Sequence, residues 1–331
     1  MKNMQVLLAA RPRGAVEESN FRIVESAVPS AGEGEFIVRA HYLSLDPYMR
    51  GRMDDAKSYA KNAEVGEVMV GTAVGEIIES SHPKYRVGDF VETRTGWQLY
   101  GKSDGGGVRK VDPAYVPLSA YLGAVGMPGV TAWIGLNEHG RPKAGETVVV
   151  SAASGAVGSA VGQLAKLKGC RAVGIAGGRA KCDYVVHELG FDACIDYKSG
   201  DLDAALKAAC PSGIDVYFDN VGGPVLDAVL GHMNAFSRIA LCGLISGYDN
   251  PGALAVKNFR SFLVNRIQLR GFICSDHLDL WKPALQELAA LVHDGKLKYR
   301  ESIANGLENA PKAFIGLLKG QNFGKQLVKL I

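Results

Sequence analysis

The sequence predicts an α/β protein in which a doubly wound parallel sheet is inserted into a β-rich, barrel-like domain. Residues 34–45, 68–80 and 85–93 alternate apolar and polar positions between glycine-containing turns, which is typical of short antiparallel strands. From Thr147 onward, apolar strand-like runs alternate with amphipathic helical patterns, which indicates parallel β-α units. The C-terminal tail has the pattern of a loop, a helix and a final strand, and we expect it to return to the first domain.

These patterns predict two domains in three segments of chain. The β-rich domain is expected at residues 1–122 and 300–331, and the inserted α/β domain at 123–299. A length of 331 residues fits two domains of ordinary size. Hydrophobic residues make up 47% and charged residues 21%, as in an ordinary globular protein.

Composition also excludes several classes of function. The net charge is +3, from 37 basic and 34 acidic residues without a basic run, so no nucleic-acid partner is expected. No apolar stretch reaches the roughly 18 residues of a membrane span, so no membrane association is expected. The six cysteines are scattered and form no C-x-x-C pair, which favours reduced, buried thiols and a cytoplasmic location.

The α/β domain divides into strand–helix units. The predicted strands are TVVVSAA (147–153), RAVGIAG (171–177), ACIDY (193–197), IDVYFDNVGG (214–223), SRIALCGLI (237–245) and IQLRGFIC (267–274). The predicted helices are AVGSAVGQLAKLKG (156–169), KCDYVVHELG (181–190), DLDAALKAA (201–209), VLDAVLGHM (225–233), NFRSFLVN (258–265) and LWKPALQELAALVHDG (280–295).

A glycine-containing turn joins the first of these strands to its helix. Gly155 and Gly158 stand three residues apart, and Ala153 takes the place of the first glycine of the usual dinucleotide-binding fingerprint. Gly155 would let the backbone approach a pyrophosphate, and Gly158 would let helix and strand pack closely. The helix N-terminus would offer N–H groups to the phosphates. The alternative is a turn that binds nothing.

The end of the second strand predicts which dinucleotide is bound. NAD-binding proteins usually carry an acidic residue there, but here Gly177 and Gly178 are followed by Arg179 and Lys181. Small residues leave room for a 2′-phosphate, cations can pair with it, and Tyr197 could donate a hydrogen bond to it. The sequence therefore predicts NADP(H). The alternative is that the two cations merely begin a solvated helix.

Several segments together resemble a known family. They are LSLDPYMRGRM (43–53), GMPGVTAW (126–133), AASGAVG (152–158), QLAKLKGC (163–170), FDNVGG (218–223) and NFGKQ (322–326). In this order they resemble the zinc-independent medium-chain dehydrogenases/reductases, in the branch of NADPH-dependent alkenal and enone double-bond reductases. That branch includes prostaglandin reductases, plant double-bond reductases and bacterial curcumin reductases. The resemblance implies a Rossmann domain inserted in a GroES-like domain, and a homodimer formed at the edge strand NRIQLRGFIC (265–274).

No metal site is expected. The zinc enzymes of the superfamily carry a Gly-His-Glu segment and a catalytic cysteine in the first domain. Here no cysteine precedes Cys170, the GHE segment is absent, and His41 and His82 stand alone. A catalytic zinc needs about three protein ligands. Reduction of an activated carbon–carbon double bond is therefore favoured over zinc-assisted reduction of a carbonyl.

The resemblance implies a set of cofactor-binding residues along the carboxyl ends of the strands. They are Met127, Thr131, Gly155, Ala156, Val157, Gly178, Lys181, Tyr197, Asn220, Cys242, Gly243, Leu244, Phe272, Ile273 and Asn322. Gly155 to Val157 would meet the pyrophosphate. Phe272 and Ile273 would flank the nicotinamide, and Asn322 would reach it from the tail.

Two tyrosines are the candidate catalytic residues. A phenol donates a hydrogen bond to a carbonyl oxygen as charge develops there, and it can also supply a proton. Tyr248 follows the fifth strand, and Tyr48 lies in the LDPYMRGR segment. For each, the alternative is an aromatic residue packed at the rim of a cleft.

The expected reaction is hydride transfer from NADPH to the β-carbon of an α,β-unsaturated aldehyde or ketone, a small-molecule substrate. A quinone oxidoreductase of the same fold is the alternative within the enzymes. A non-catalytic NADPH-binding sensor is the alternative from another class, since fold alone does not establish chemistry.

Overall fold

The computed structural model describes residues 2–331, which form two compact units. One unit takes the chain up to Leu122 and again Glu301–Ile331, and the other is Gly123–Arg300. The strands are β1 (Lys2–Leu8), β2 (Phe21–Ala27), β3 (Phe36–Ser44), β4 (Ala73–Ser80), β5 (Phe90–Thr93), β6 (Tyr100–Ser103), β7 (Arg109–Lys110), β8 (Thr147–Ser151), β9 (Arg171–Ala176), β10 (Ala193–Asp196), β11 (Ile214–Asp219), β12 (Met233–Leu241), β13 (Gln268–Gly271), β14 (Glu301–Asn305) and β15 (Lys325–Lys329). The α-helices are α1 (Tyr48–Arg52), α2 (Met127–Ile134), α3 (Ala156–Leu167), α4 (Arg179–His187), α5 (Leu202–Ala209), α6 (Gly223–Leu230), α7 (Arg260–Val264), α8 (Leu278–His293) and α9 (Ala310–Leu318).

A six-stranded sheet forms the centre of the second unit. Its strand order is β10-β9-β8-β11-β12-β13, and every neighbouring pair is parallel. The chain therefore builds outward from β8 in one direction and then from β11 in the other, which confirms the predicted doubly wound sheet. In such a sheet, ligands bind outside the carboxyl ends of the strands where the order reverses. Here that point lies between β8 and β11.

Close packing of helix on strand explains the small residues of this unit. Strand β8 is buried along its whole length, and Val161, Leu164 and Ala165 of α3 are buried in the same core cluster. The ring of Phe191 lies directly over Gly162, because a Cβ atom built there would come within 1.8 Å of the ring. A side chain at position 162 would therefore have to displace this ring.

The first unit contains a hairpin, β1–β2, and a seven-stranded mixed sheet. The main path of the sheet is β14-β15-β3-β4-β5-β7, and β6 pairs with β3. All of its pairs are antiparallel except β14–β15. An aromatic cluster fills the core beside it, with Trp97 stacked on Phe21 at 5.4 Å and edge-on to Phe314 at 5.6 Å between ring centroids.

Several elements differ from the sequence-based expectations. The tail begins with a strand, β14, where a loop was expected, because residues 301–305 pair in parallel with β15. Helix α2 and the π-helical turn Gly135–Gly140 precede β8 without having been predicted. Strand β11 ends at Asp219 rather than Gly223, because the Asp219 carboxylate accepts hydrogen bonds from the next two available N–H groups and turns the chain. Within residues 2–331, none of the helices combines the length and apolar character needed to cross a membrane.

Candidate active site

The turn between β8 and α3 brings backbone N–H groups to one point. Gly155 is the N-cap residue of α3, and its N–H donates to the carbonyl oxygen of Ala152 at 2.9 Å. A Cβ atom at Gly158 would lie 2.4 Å from that same oxygen, so only glycine fits at this approach of helix to strand. The N–H groups of Ala156 and Val157 lie in the first helical turn, where no intrahelical carbonyl is available to them. This cradle suits a pyrophosphate.

The backbone strain of this turn lies at Ala152, one residue before Ala153, which takes the place of the first fingerprint glycine. Ala152 adopts a left-handed backbone with φ of 51°, whereas Ala153 is fully buried and donates its N–H to Ile175 at 3.0 Å. A non-glycine residue rarely adopts a positive φ. The side chain of Ala152 is a single methyl group, which limits the steric cost of this backbone conformation.

A buried carboxylate ties together the ends of β8 and β11. One oxygen of Asp219, Oδ1, accepts hydrogen bonds from Ser151 Oγ (3.1 Å), Tyr217 Oη (2.8 Å) and the N–H groups of Val221 and Gly222 (2.9 Å each). Burial raises the pKa of this carboxyl group above its usual value, although these donors oppose the shift. Asp219 was not predicted as a site residue, even though it lies inside the FDNVGG segment.

Asn220 adds further hydrogen bonds between the ends of β8 and β11. Its side-chain Nδ2 donates to the carbonyl oxygen of Ser151 at 2.8 Å, and its backbone N–H donates to Ser151 Oγ at 2.9 Å. The side chain therefore joins two strand ends at the point where the sheet order reverses. Its predicted contact with the cofactor stays a prediction.

The ends of β9 and β10 form a second small platform. Asp196 Oδ1 accepts from the N–H groups of Gly178 at 2.7 Å and Lys198 at 3.0 Å, which joins the two strand ends. A Cβ atom at Gly177 would lie 2.9 Å from the Tyr197 ring and 3.0 Å from Cε of Lys198. Both side chains therefore lie against the backbone of Gly177. Gly178 itself has φ of 101°, which favours glycine.

Two lysines rather than an arginine and a lysine face this platform. Burial, and then the positive charge of Lys198, lower the pKa of Lys181 below its usual value. Arg179 instead points to solvent, with its side chain 92% exposed and 3.7 Å from Asp183. Two ammonium groups that repel each other favour an anion between them. Lys198 was missed from the sequence, although it follows Tyr197 directly.

The end of β12 carries the first candidate catalytic residue. The N–H groups of Cys242 and Gly243 donate to the backbone oxygen of Asp219 at 2.8 and 3.1 Å. A Cβ atom at Gly243 would lie 3.3 Å from the backbone oxygen of Asn220 and 3.7 Å from the hydroxyl oxygen of Tyr248. The Tyr248 phenol thus lies beside strand ends that carry predicted cofactor-binding residues. Leu244 follows directly, and its side chain lies against Gly222.

The Cys242 thiol is not poised as a nucleophile. Burial raises its pKa well above the ordinary value, and the neighbouring groups of Cys274 and Asp219 raise it further. The reactive form of a cysteine is the thiolate, which this environment disfavours.

Other predicted cofactor residues of this unit use their side chains internally. The ring of Phe272 packs against His139 at 4.8 Å and Phe218 at 6.1 Å between centroids, and it is 8% exposed. Thr131 Oγ1 donates to the Met127 backbone oxygen at 2.8 Å. The Met127 side chain is partly buried against the core cluster. The predicted contacts of these residues with the cofactor stay predictions.

Tyr48 and Asn322 belong to the first unit. Tyr48 begins α1 and is partly buried, and burial, the Asp46 carboxylate and Tyr59 raise its pKa well above the ordinary value. The positive charges of Arg52 and Arg94 oppose that shift. The phenol is therefore protonated at neutral pH and able to donate a hydrogen bond. Asn322 donates from Nδ2 to the Gly324 backbone oxygen at 2.7 Å.

No cluster of metal ligands accompanies these residues. Across residues 2–331, the structure brings together no group of three or more His, Cys, Asp and Glu side chains that could hold a metal ion. This finding is compatible with the missing zinc-ligand segments of the sequence.

Comparison with known proteins identifies the family. Residues 4–111 match the family described as "N-terminal domain of oxidoreductase", and residues 156–290 match "Zinc-binding dehydrogenase". The chain is 47% identical to "NADPH-dependent curcumin reductase" of Escherichia coli (strain K12), over 99% of this chain and 97% of that protein. It is 43% identical to "2-alkenal reductase (NADP(+)-dependent)" of Nicotiana tabacum, with the same two coverages. The chain belongs to the double-bond reductases of the medium-chain dehydrogenase/reductase family.

Solved structures agree with this assignment of the double-bond reductase. The structure of CurA from Vibrio vulnificus in complex with NADPH is 47% identical, covers 99% of both chains and superposes with a TM-score of 0.94. A quinone oxidoreductase from Escherichia coli is more distant, at 19% identity and a TM-score of 0.78, and shows the fold alone. The fold of a Rossmann domain with a β-rich second domain is thereby confirmed.

Proposed function

We propose that this double-bond reductase uses NADPH to reduce the carbon–carbon double bond of α,β-unsaturated aldehydes and ketones. The observation that carries the proposal is the Tyr248 hydroxyl beside Gly243, at the carboxyl end of β12. Its relatives of 43–47% identity are named as curcumin and alkenal reductases, which supports the substrate class. The second unit is proposed to bind the cofactor, and the first to contribute Tyr48 and Asn322.

The residues present fit NADPH at two places. The N–H groups of Ala156 and Val157 and the close turn at Gly155 suit the pyrophosphate. Lys181, Lys198 and Tyr197 suit the 2′-phosphate, since cations and a phenol are its natural partners. The one carboxylate of this platform, Asp196, is held by backbone N–H groups.

The chemistry asks little more of the chain than orientation and one hydrogen bond. NADPH supplies the hydride when it is bound. The Tyr248 phenol is proposed to donate a hydrogen bond to the substrate carbonyl oxygen as negative charge develops on it. Tyr48, kept protonated by burial, is the second candidate donor and a source for the proton at the α-carbon.

The assembly and location are proposed from the surface and the thiols. Strand β13 is the edge of its sheet, and exposed apolar side chains lie at this edge on β12, α7 and β13. Pairing of two such edges would cover them, which supports a homodimer.

All six cysteines are free, which supports a reducing, cytoplasmic location.

A substrate panel tests the function. The oxidation of NADPH, with NADH in parallel, is followed by absorbance against a 2-alkenal, a curcuminoid, a quinone and a saturated aldehyde. Mass spectrometry and NMR then identify the products. A saturated carbonyl product from the alkenal or enone, with NADPH preferred, supports the proposal. Turnover of the quinone alone would move the protein to the quinone oxidoreductases, and NADPH binding without turnover of any compound would favour a sensor.

A further inference from the structure

A buried ion pair lies in the first unit, between two of the family segments. Lys325 Nζ and Asp46 Oδ1 are 2.9 Å apart, and the two side chains are only 4% and 8% exposed. Lys325 Nζ also donates to the Leu45 backbone oxygen at 2.6 Å. Ser44 Oγ donates to the other carboxylate oxygen of Asp46. Each oxygen of this carboxylate therefore has its own donor.

A second carboxylate faces the same ammonium group. Glu301 pairs with Lys325 in the parallel register of β14 and β15, and its negative charge acts on the lysine. Ser119 makes a side-chain hydrogen bond with Glu301, whose pKa is raised by burial. Asp46 and Lys325 are removed from water and Glu301 is partly buried, which is costly, and such clusters add little stability for that cost. Stability alone therefore does not account for this charged cluster.

The cluster lies two or three residues along the chain from Tyr48 and Asn322, the two candidate site residues of this unit. Asp46 precedes Tyr48 by two residues, and Pro47 between them fixes one backbone torsion. The N–H of Met49 donates to the Asp46 backbone oxygen at 3.1 Å, which starts α1 directly at the carboxylate. Lys325 follows Asn322 by three residues, at the first position of β15. The Asn322 side chain is held on this segment, because its Nδ2 donates to the Gly324 backbone oxygen at 2.7 Å.

We propose that Lys325 and Asp46 are positioning residues: their ion pair joins the segment that bears Tyr48 to the segment that bears Asn322 and so fixes both side chains for catalysis. This inference rests on the proposed function, in which both residues serve the reaction. Neither Lys325 nor Asp46 needs to touch substrate or cofactor. A small displacement of a positioned group is enough to lower the rate strongly.

The test compares a double variant with a matched control on the same sheet. Asp46→Asn with Lys325→Met removes both charges of the pair together, so neither is left buried without the other, and the remaining acid, Glu301, is only partly buried. The control, Arg39→Met with Glu76→Gln, removes a 2.8 Å ion pair between β3 and β4 whose side chains are 40% and 29% exposed. The measurements are the thermal midpoint, the Kd for NADPH by calorimetry, and kcat and KM for an enone.

The proposal predicts a double variant that stays folded with kcat lowered about 10- to 100-fold, a Kd for NADPH raised at least about threefold, and KM for the enone little changed. The control keeps all three constants. A folded double variant with wild-type kcat and Kd would overturn the proposal. If the wild-type protein reduces no enone, the proposed function fails separately, and an unchanged Kd for NADPH in the double variant then overturns the positioning role as well.

Discussion

At the scale of single residues, the ends of β9 and β10 carry the cations proposed to select NADPH. The charge of Lys198 helps to lower the pKa of Lys181, so the two ammonium groups favour an anion between them. Arg179 and Lys181 stand two residues apart on one helix, and only the structure shows that the first is solvated.

Removing either inward lysine should weaken NADPH binding and leave NADH binding nearly unchanged. Hydrogen bonds to charged groups contribute about 1.5–3 kcal/mol, so Lys181→Ala or Lys198→Ala should raise KM for NADPH roughly 10- to 100-fold. Arg179→Ala is the matched control on the same helix. Initial rates with both nucleotides check this, and a larger effect of Arg179→Ala than of Lys181→Ala would refute the arrangement.

The Tyr248 hydroxyl should matter for rate more than for binding. Loss of one donor to a developing oxyanion lowers kcat by about 100- to 1000-fold in known cases, so Tyr248→Phe should lower kcat by about 100-fold. The Kd for NADPH should stay unchanged. Tyr184→Phe removes another partly buried phenol of this unit, whose ring faces Arg300, and should keep wild-type kcat. Near-normal kcat in Tyr248→Phe would transfer the role to Tyr48.

At the scale of elements, the strongly periodic β-α units were predictable and the irregular ones were not. Strands such as β8 are uniformly apolar and are followed by an amphipathic helix, so both periods are visible. Strand β14 reads ESIAN, which is too short and polar to stand out, and only its pairing with β15 makes it a strand. In the π-helical turn Gly135–Gly140, the His139 ring packs against Phe272 at 4.8 Å between centroids, a tertiary contact that no local pattern encodes.

A buried histidine in the turn Gly135–Gly140, His139, should make the free energy of unfolding decrease in acid. Burial, then the charges of Arg270, His277 and Arg141, lower the pKa of His139 to about 4. The unfolded chain binds this proton below about pH 6.5 and the folded chain only near pH 4, so stability falls as pH falls through this window. The slope from this residue approaches about 1.4 kcal/mol per pH unit.

Urea unfolding at pH 7.5, 6, 5 and 4 measures this dependence. Replacing the imidazole with a ring that does not titrate, His139→Phe, should remove most of the slope between pH 6.5 and 4. His187→Phe, on α4, is the control variant for replacing a histidine with a phenylalanine. Equal slopes in wild type and His139→Phe would show that other groups cause the acid sensitivity.

At the scale of the whole molecule, the sequence indicated an inserted α/β unit, and most of the predicted site residues lie in the second unit. The chain leaves the first unit after Leu122 and re-enters it at Glu301. The predicted site residues are spread over segments far apart in sequence, so motifs, rather than periodicity, were needed to find them. The sequence does not predict which enone is the substrate, because none of the candidate side chains distinguishes one enone from another.

The exposed edge of the sheet predicts a dimer that one charge can disrupt. Leu263 and Leu269 are 79% and 39% exposed on α7 and β13, and Phe236 nearby is 68% exposed. Leu269→Lys should convert the dimer to a monomer, because a buried unpaired charge at an interface is costly. Light scattering with size-exclusion chromatography measures the mass. Val87→Lys, at an exposed apolar position of the first unit, is the control, and a wild-type monomer would contradict the prediction.

The most direct test of the central claim follows the hydride itself. NADPH carrying deuterium at the transferred position of the nicotinamide is incubated with the protein and an enone, and NMR locates the label in the product. The account predicts a saturated ketone with deuterium at the β-carbon and a solvent proton at the α-carbon. Deuterium on the carbonyl carbon of an alcohol would contradict it, because it would show carbonyl reduction instead of double-bond reduction.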